Sequence, residues 1–190
     1  MKHILVNSVS EKGGGVMSKT STDVLIRESK PGDVGYVGYM HGKYYCTKYD
    51  FFADSEYYFL KQVVDFARNP EDGKLWIAEV DGNTVGSVAI LRHDDKTAQF
   101  RFFLVDENFR NMGIGSRLMK ISLDFCREAG YENVFLWTIK ELDKARHLYD
   151  KAGFVLTEEI PNNDWGSVEI VDQKMELNLK KSLLKNEKKE

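Results

Sequence analysis

A chain of 190 residues, 42% apolar and 30% charged, is long enough for one α/β domain with a sizeable core and too apolar for a mainly unstructured polymer. Its formal net charge of -3 gives no whole-molecule attraction for polyanions, and no apolar run approaches the roughly 18 residues that span a bilayer. Cys46 and Cys126 form neither a CxxC nor a metal-type spacing, so they read as reduced, partly buried thiols.

Residues 1–20 are rich in Gly, Ser and Lys and read as a flexible extension, with Met17 as an alternative start. The apolar stretch Ile4 to Val6 is too short for a secretory core of about 7–15 residues, so the expected location is cytoplasmic, without a membrane partner. Val24 to Ile26 predicts a strand ending at Lys30-Pro31-Gly32, and Asp33 is placed to cap a helix through Lys43 that carries Tyr36, Tyr39, Tyr44 and Tyr45. A second helix follows Asp54-Ser55, with Phe59, Leu60, Val63, Val64 and Ala67 at spacings of three and four; Asn69-Pro70 stops it. Leu75 to Val80 and Val85 to Leu91 flank an Asp81-Gly82 turn, a strong hairpin signal, and a third strand runs from Gln99 to Val105.

Ile114, Leu118, Ile121 and Phe125 then mark one helical face, with Gly130 as its C-terminal cap. Val134 to Ile139 predicts a strand, and Leu142, Ala145, Leu148 and Ala152 a short helix ended by Gly153. Phe154 to Ile160 and Ile170 to Leu177 are the closing strands. The order β-α-α-β-β-β-α-β-α-β-β describes a mixed sheet with helices on both faces. Residues 21–180 form the domain, and 181–190 a charged tail. The basic residues at this end (Lys180, Lys181, Lys185, Lys188 and Lys189) have no aromatic residues between them, so no nucleic-acid partner is expected.

The informative segment is Phe102 to Ser116, where a strand runs into a loop with Gly113 and Gly115 that opens a helix. Glycines let a backbone approach a ligand closely, and the first amides of a helix have no internal partner, which favours a bound phosphate. The spacing Arg110-x-x-Gly113-x-Gly115 fits neither the P-loop nor the dinucleotide fingerprint. A tight turn without ligand is the plain alternative.

That spacing resembles the acetyl-CoA pyrophosphate loop of the GNAT N-acetyltransferases, Arg/Gln-x-x-Gly-x-Gly/Ala. A second segment, Ala145-x-x-Leu148-Tyr149-x-x-x-Gly153-Phe154, is similar to the family's A-x-x-L-Y-x-x-x-G-F. The resemblance covers roughly residues 24–179. Pro31-Gly32-Asp33, His41-Gly42, Trp76 to Glu79 and Leu136 to Thr138 look in particular like the acetyltransferase half of proteins fused to a MarR-type regulator, without room for the DNA-binding half. The position that often holds a cofactor-binding Asn in the family is Leu142 here.

The resemblance implies a GNAT fold, a seven-stranded, mostly antiparallel sheet flanked by about four helices, and transfer of an acetyl group from acetyl-CoA to a primary amine in a ternary complex. The acceptor is a small molecule or a protein amine, no metal takes part, and the enzyme is a monomer or homodimer. It further implies that Phe103, Leu104 and Val105 splay from the neighbouring strand to meet the pantetheine arm. Amides from Arg110, Asn111, Met112, Gly113, Ile114, Gly115 and Ser116 hold the pyrophosphate. Tyr149 reprotonates the leaving thiolate; its other reading is a core aromatic. A phenol of pKa near 10 is a reasonable partner for a thiolate near 8.5.

Candidates on the acceptor side are Glu79 as a base or a solvated hairpin acid, His41 as a base or a structural residue, Arg101 as a carboxylate binder or a cross-sheet ion pair, and Trp165 as a substrate wall or packing. Water is the remaining candidate base. Two other functions compete: a domain that binds acetyl-CoA without turnover, and an interaction protein using the aromatic surface from Tyr36 to Tyr58.

Overall fold

The structure, a computed structural model, describes residues 23–48, 53–163 and 170–180. The N-terminal extension, Trp165 and the tail beyond 180 lie outside the described residues.

Strand β1 (Val24–Glu28) leads into helices α1 (Asp33–Lys48) and α2 (Ala53–Arg68). Asp33 opens α1, but its carboxylate turns back to the Lys30 amide at 2.7 Å and the Arg27 guanidinium at 2.6 Å, so it ties the helix start to β1. Burial alone would raise its pKa; the Arg27 hydrogen bond and the Lys30 amide carry it below its usual value. α1 continues past Lys43 to Lys48, since Tyr44 to Lys48 contain neither proline nor glycine.

Strands β2 (Gly73–Val80), β3 (Asn83–Arg92) and β4 (Thr97–Val105) form an antiparallel meander. Asp81 and Gly82 both have positive φ, the backbone a tight two-residue hairpin turn requires. After one turn of 3-10 helix come α3 (Ile114–Glu128), β5 (Asn133–Ile139), α4 (Asp143–Ala152), β6 (Val155–Asn162) and β7 (Ile170–Asn178). Gly130 and Gly153 adopt left-handed φ just past α3 and α4, the positions where a helix ends most cheaply on glycine.

The sheet order is β1-β2-β3-β4-β5-β7-β6, and β4–β5 is its one parallel pair. Both faces are covered. Trp76, Ala78, Phe100, Leu118 and Leu123 belong to the core under α3 and α4, while Val37, Val63, Leu75, Ile77 and Phe102 form a second core under α1 and α2. Strands buried on both faces lack polar alternation, which is why β2 and β3 read as near-continuous apolar runs. Among the described residues, no helix is long and apolar enough to cross a membrane, and no cluster of three His, Cys, Asp or Glu side chains is arranged to hold a metal.

Candidate active site

β4 pairs with β5 only at Thr97–Asn133, Ala98–Val134 and Gln99–Phe135, after which the two strands part. A bulge accompanies the separation. Ser87 opposes Leu104 and Ala89 opposes Arg101, so Phe102 and Phe103 together face Val88. Phe102 has φ +50°, a left-handed backbone that is costly for a bulky residue. The buried Ser87 hydroxyl donates to its carbonyl at 2.7 Å and holds it there. The extra residue resets the side-chain alternation. Phe100 and Phe103 join the α3/α4 side, whereas Phe102 enters the α1/α2 core.

Along one side of this opening runs a cavity of about 750 Å³, bordered by Phe103 to Val105, the loop from Arg110 to Ser116 and the start of α4. The first bond of α3 runs from the Arg117 amide to the Gly113 carbonyl at 3.0 Å, so the amides just ahead of it have no helical partner. Gly113 sits at the N-cap with φ +76°, and a Cβ there would meet nothing within 4 Å. Gly115 differs. Its Cβ would stand 3.0 Å from Leu148 Cδ1 and 3.5 Å from Phe103 Cζ, so this glycine lets α3 approach α4 and β4.

Arg110 braces the loop: its Nε donates to the Val105 carbonyl at 3.1 Å, it pairs with Glu107 and it stacks on Tyr44. Lys48 also pairs with Glu107, and the lining sets Lys48, Arg110 and Lys144 beside Glu141 and Asp143. Met112 is exposed and does not border the cavity. Leu142 does, at the N-cap of α4, without a side-chain cap hydrogen bond. Unpartnered helix amides, a glycine with free space beside it and nearby Lys144 suit a phosphate-bearing arm lying between β4 and α4.

Across the opening lies a second chamber of about 380 Å³, with walls that include Phe59, Phe102, Trp137 and Ile139. Tyr45, Phe103 and Tyr149 border both spaces. Tyr149 is 5% exposed and ringed by Phe100, Phe103 and Phe154, with centroids about 6 Å away. Burial pushes its phenol above the ordinary tyrosine value. The Thr138 hydroxyl acts the other way without meeting bonding geometry, and Thr138 Oγ1 is buried with no partner.

His41 and Arg101 border this second chamber. His41 Nδ1 donates to the Val37 carbonyl at 2.9 Å, which leaves the lone pair on Nε2. Burial holds its pKa at about 4, so the ring is neutral at physiological pH. Glu79 lies outside both spaces. Arg27 and Lys30 engage it at the edge of the sheet, and the Arg27 hydrogen bond holds its carboxyl below the usual range. The sequence did not single out Lys48, Lys144 or Thr138 as site residues. Each is an ordinary helix or strand residue locally, and only the meeting of α1, α4 and β5 around the opening gives them a place.

The sequence pattern described as the Acetyltransferase (GNAT) family matches residues 39–154, and the chain belongs to that family. Among characterised proteins, it is 34% identical over 110 residues to N-acetylaspartate synthetase of Rattus norvegicus, covering 57% of this chain and 34% of that protein. It is 36% identical over 87 residues to N-acetyltransferase 8B of Homo sapiens, covering 43% and 38% respectively. These matches thus span little more than a third of each relative. Its fold is similar to that of yncA from Salmonella typhimurium, solved with its cofactor acetyl-CoA, at TM-score 0.68 and 16% identity over 82% of this chain and 94% of that one. Ard1 from Thermoplasma volcanium aligns at TM-score 0.61 and 28% identity over 80% and 95%.

Proposed function

We propose that the chain transfers an acetyl group from acetyl-CoA to a primary amine by direct attack, with both substrates bound together. One observation carries this reading: a cavity at the N-terminus of α3 and an aromatic chamber meet at Tyr149 and Phe103, where β4 and β5 part. Acetyl-CoA supplies an activated thioester. The amine nitrogen forms the new C–N bond, the C–S bond breaks, and the sulfur gains a proton while the nitrogen loses one.

The loop from Arg110 to Ser116 offers its amides to the phosphates, and the unpaired edge of β4 from Phe103 to Val105 takes the pantetheine arm. Tyr149 gives its phenol proton to the departing sulfur. Burial lifts the phenol's pKa and keeps it protonated until negative charge builds on the sulfur beside it. His41 Nε2 accepts a hydrogen bond from the amine. With a pKa of about 4 the ring is too weak a base to keep the proton, which leaves to water. An acetyl-CoA sensor that does not turn over would need no proton donor at this junction.

The test is thiol release across an amine panel with wild type and Tyr149→Phe. Loss of a positioned proton donor should lower kcat about 10²–10⁴-fold, with little change in acetyl-CoA affinity. A kcat within about threefold of wild type, with chemistry rate-limiting, would reject the role.

A further inference from the structure

Resting on that reading, we infer that the acceptor is a free aromatic amino acid whose carboxylate is held by Arg101. Arg27, Arg92, Arg110, Arg127 and Arg146 each pair with a carboxylate, whereas Arg68 and Arg117 are exposed. Among the described residues, Arg101 alone is a shielded arginine without a carboxylate partner. A guanidinium taken from water without a counter-ion is costly, and a two-oxygen anion matches its fork of donors.

Arg101 is also held in place. One Nη donates to Gln62 Oε1 at 2.6 Å, and the Phe102 ring centroid lies 5.5 Å from the guanidinium carbon. Gln62 leaves the positive charge uncompensated. The bulge at Phe102 keeps Arg101 and Phe102 on the acceptor side of the sheet, while Phe103 packs toward α3 and α4 and, with Tyr149, forms the wall between the two spaces.

The remaining lining selects the rest of the ligand. His41 is neutral, and Asp172, the other charged side chain among the described residues of the chamber wall, already accepts from Asn162 Nδ2 at 2.8 Å. Arg101 is then the charge the chamber offers a ligand, which suits one carboxylate beside an amine that meets His41 Nε2. A polyamine would bring its positive charges against Arg101. A dicarboxylate such as aspartate would present a second negative charge with no second cation to meet it. Trp137 and Phe102, together with Phe59 stacked on Tyr45 at 4.7 Å, give the chamber apolar aromatic walls that suit an aromatic side chain. A volume of about 380 Å³ is the size of a small-molecule site.

The experiment compares L-phenylalanine with phenethylamine, which lacks only the carboxylate, and adds L-aspartate and spermidine. Wild type should favour L-phenylalanine over phenethylamine by about 10–100-fold in kcat/KM, the effect of a charge-assisted hydrogen-bonded pair. Arg101→Gln should collapse that ratio toward one, chiefly through the KM for L-phenylalanine. Arg101→Lys, which keeps the charge and loses the fork, should fall between. Acetyl-CoA affinity by calorimetry reports whether each variant is folded; if Arg101→Gln is not, the wild-type ratio and Arg101→Lys decide.

Phenethylamine used as well as L-phenylalanine, a preference for aspartate or spermidine, or a ratio unmoved in folded Arg101→Gln overturns the inference while leaving acetyl transfer intact. If no amine releases thiol, acetyl transfer itself fails. The anion site is then read from calorimetric binding of N-acetyl-L-phenylalanine, where binding lost in Arg101→Gln upholds it and binding absent or unchanged overturns it.

Discussion

Tyr149 and His41 are both aromatic, buried and partnered mainly by other rings, yet burial acts on them in opposite senses. It raises the acid whose charged form is an anion and lowers the one whose charged form is a cation. Both are therefore neutral at physiological pH, one keeping its phenol proton and the other a lone pair on Nε2. For His41 this has a consequence in stability. Its pKa is about 4 in the fold against about 6.5 in the unfolded chain, so between those values the unfolded chain binds a proton that the folded chain refuses. The contribution of the neutral ring is complete above pH 6.5 and is lost as pH falls toward 4. Wild type should lose about 2 kcal/mol more than His41→Gln between pH 7.5 and pH 5, measured by urea unfolding. Parallel losses in the two proteins would show that the imidazole is not held neutral by burial.

At the scale of elements, the site depends on an interruption of regular structure. β4 carries a bulge at Phe102, fastened by Ser87, and stops pairing with β5 beyond Gln99. The loop that follows uses its two glycines for different purposes. Gly113 needs left-handed backbone and leaves open space, while Gly115 allows close packing of α3 on Leu148 and Phe103. Gly113→Val should cost about 1–3 kcal/mol in backbone strain and weaken acetyl-CoA binding by at least about tenfold. Gly115→Val should lose stability and affinity together, since Leu148 must move before Val can fit. Calorimetry and thermal melts separate the two effects. Wild-type acetyl-CoA affinity in folded Gly113→Val would remove the loop from the binding site.

For the molecule as a whole, the sheet is two blocks, β1 to β4 and β5 to β7, joined through a short parallel contact and packed under α3. A ligand seated between Phe103 and the start of α4 touches both blocks and binds only when they are assembled. At about 100 times its Kd, acetyl-CoA should add about 2.7 kcal/mol, which for a chain of this size is roughly 5–10 °C in Tm. The shift should grow with the logarithm of ligand concentration. A Tm unmoved at millimolar acetyl-CoA would show that the cavity is not its site.

Element type and order were legible from local pattern alone. The Asp81-Gly82 turn, the glycines after α3 and α4 and the 3.6-residue spacing of Leu118 and Ile121 are interactions between near neighbours, so the residues that cause them sit side by side in the chain. The glycine loop was legible for the same reason. What joins distant segments was not. A hairpin glutamate looks alike whether it faces a cleft or an ion pair, and Glu79 meets Arg27 only because β1 pairs with β2. The Phe102 bulge needs Ser87 on another strand, and the isolation of Arg101 from any described carboxylate emerges only when every neighbour is in place. Sequence by itself determined the elements and the strand–glycine loop–helix junction at Gly113 and Gly115, because backbone propensity and helix ends are local. Tertiary structure alone decided which charges are paired, which rings are buried and where the two cavities meet, because burial and Coulomb energy depend on what packs from elsewhere in the chain.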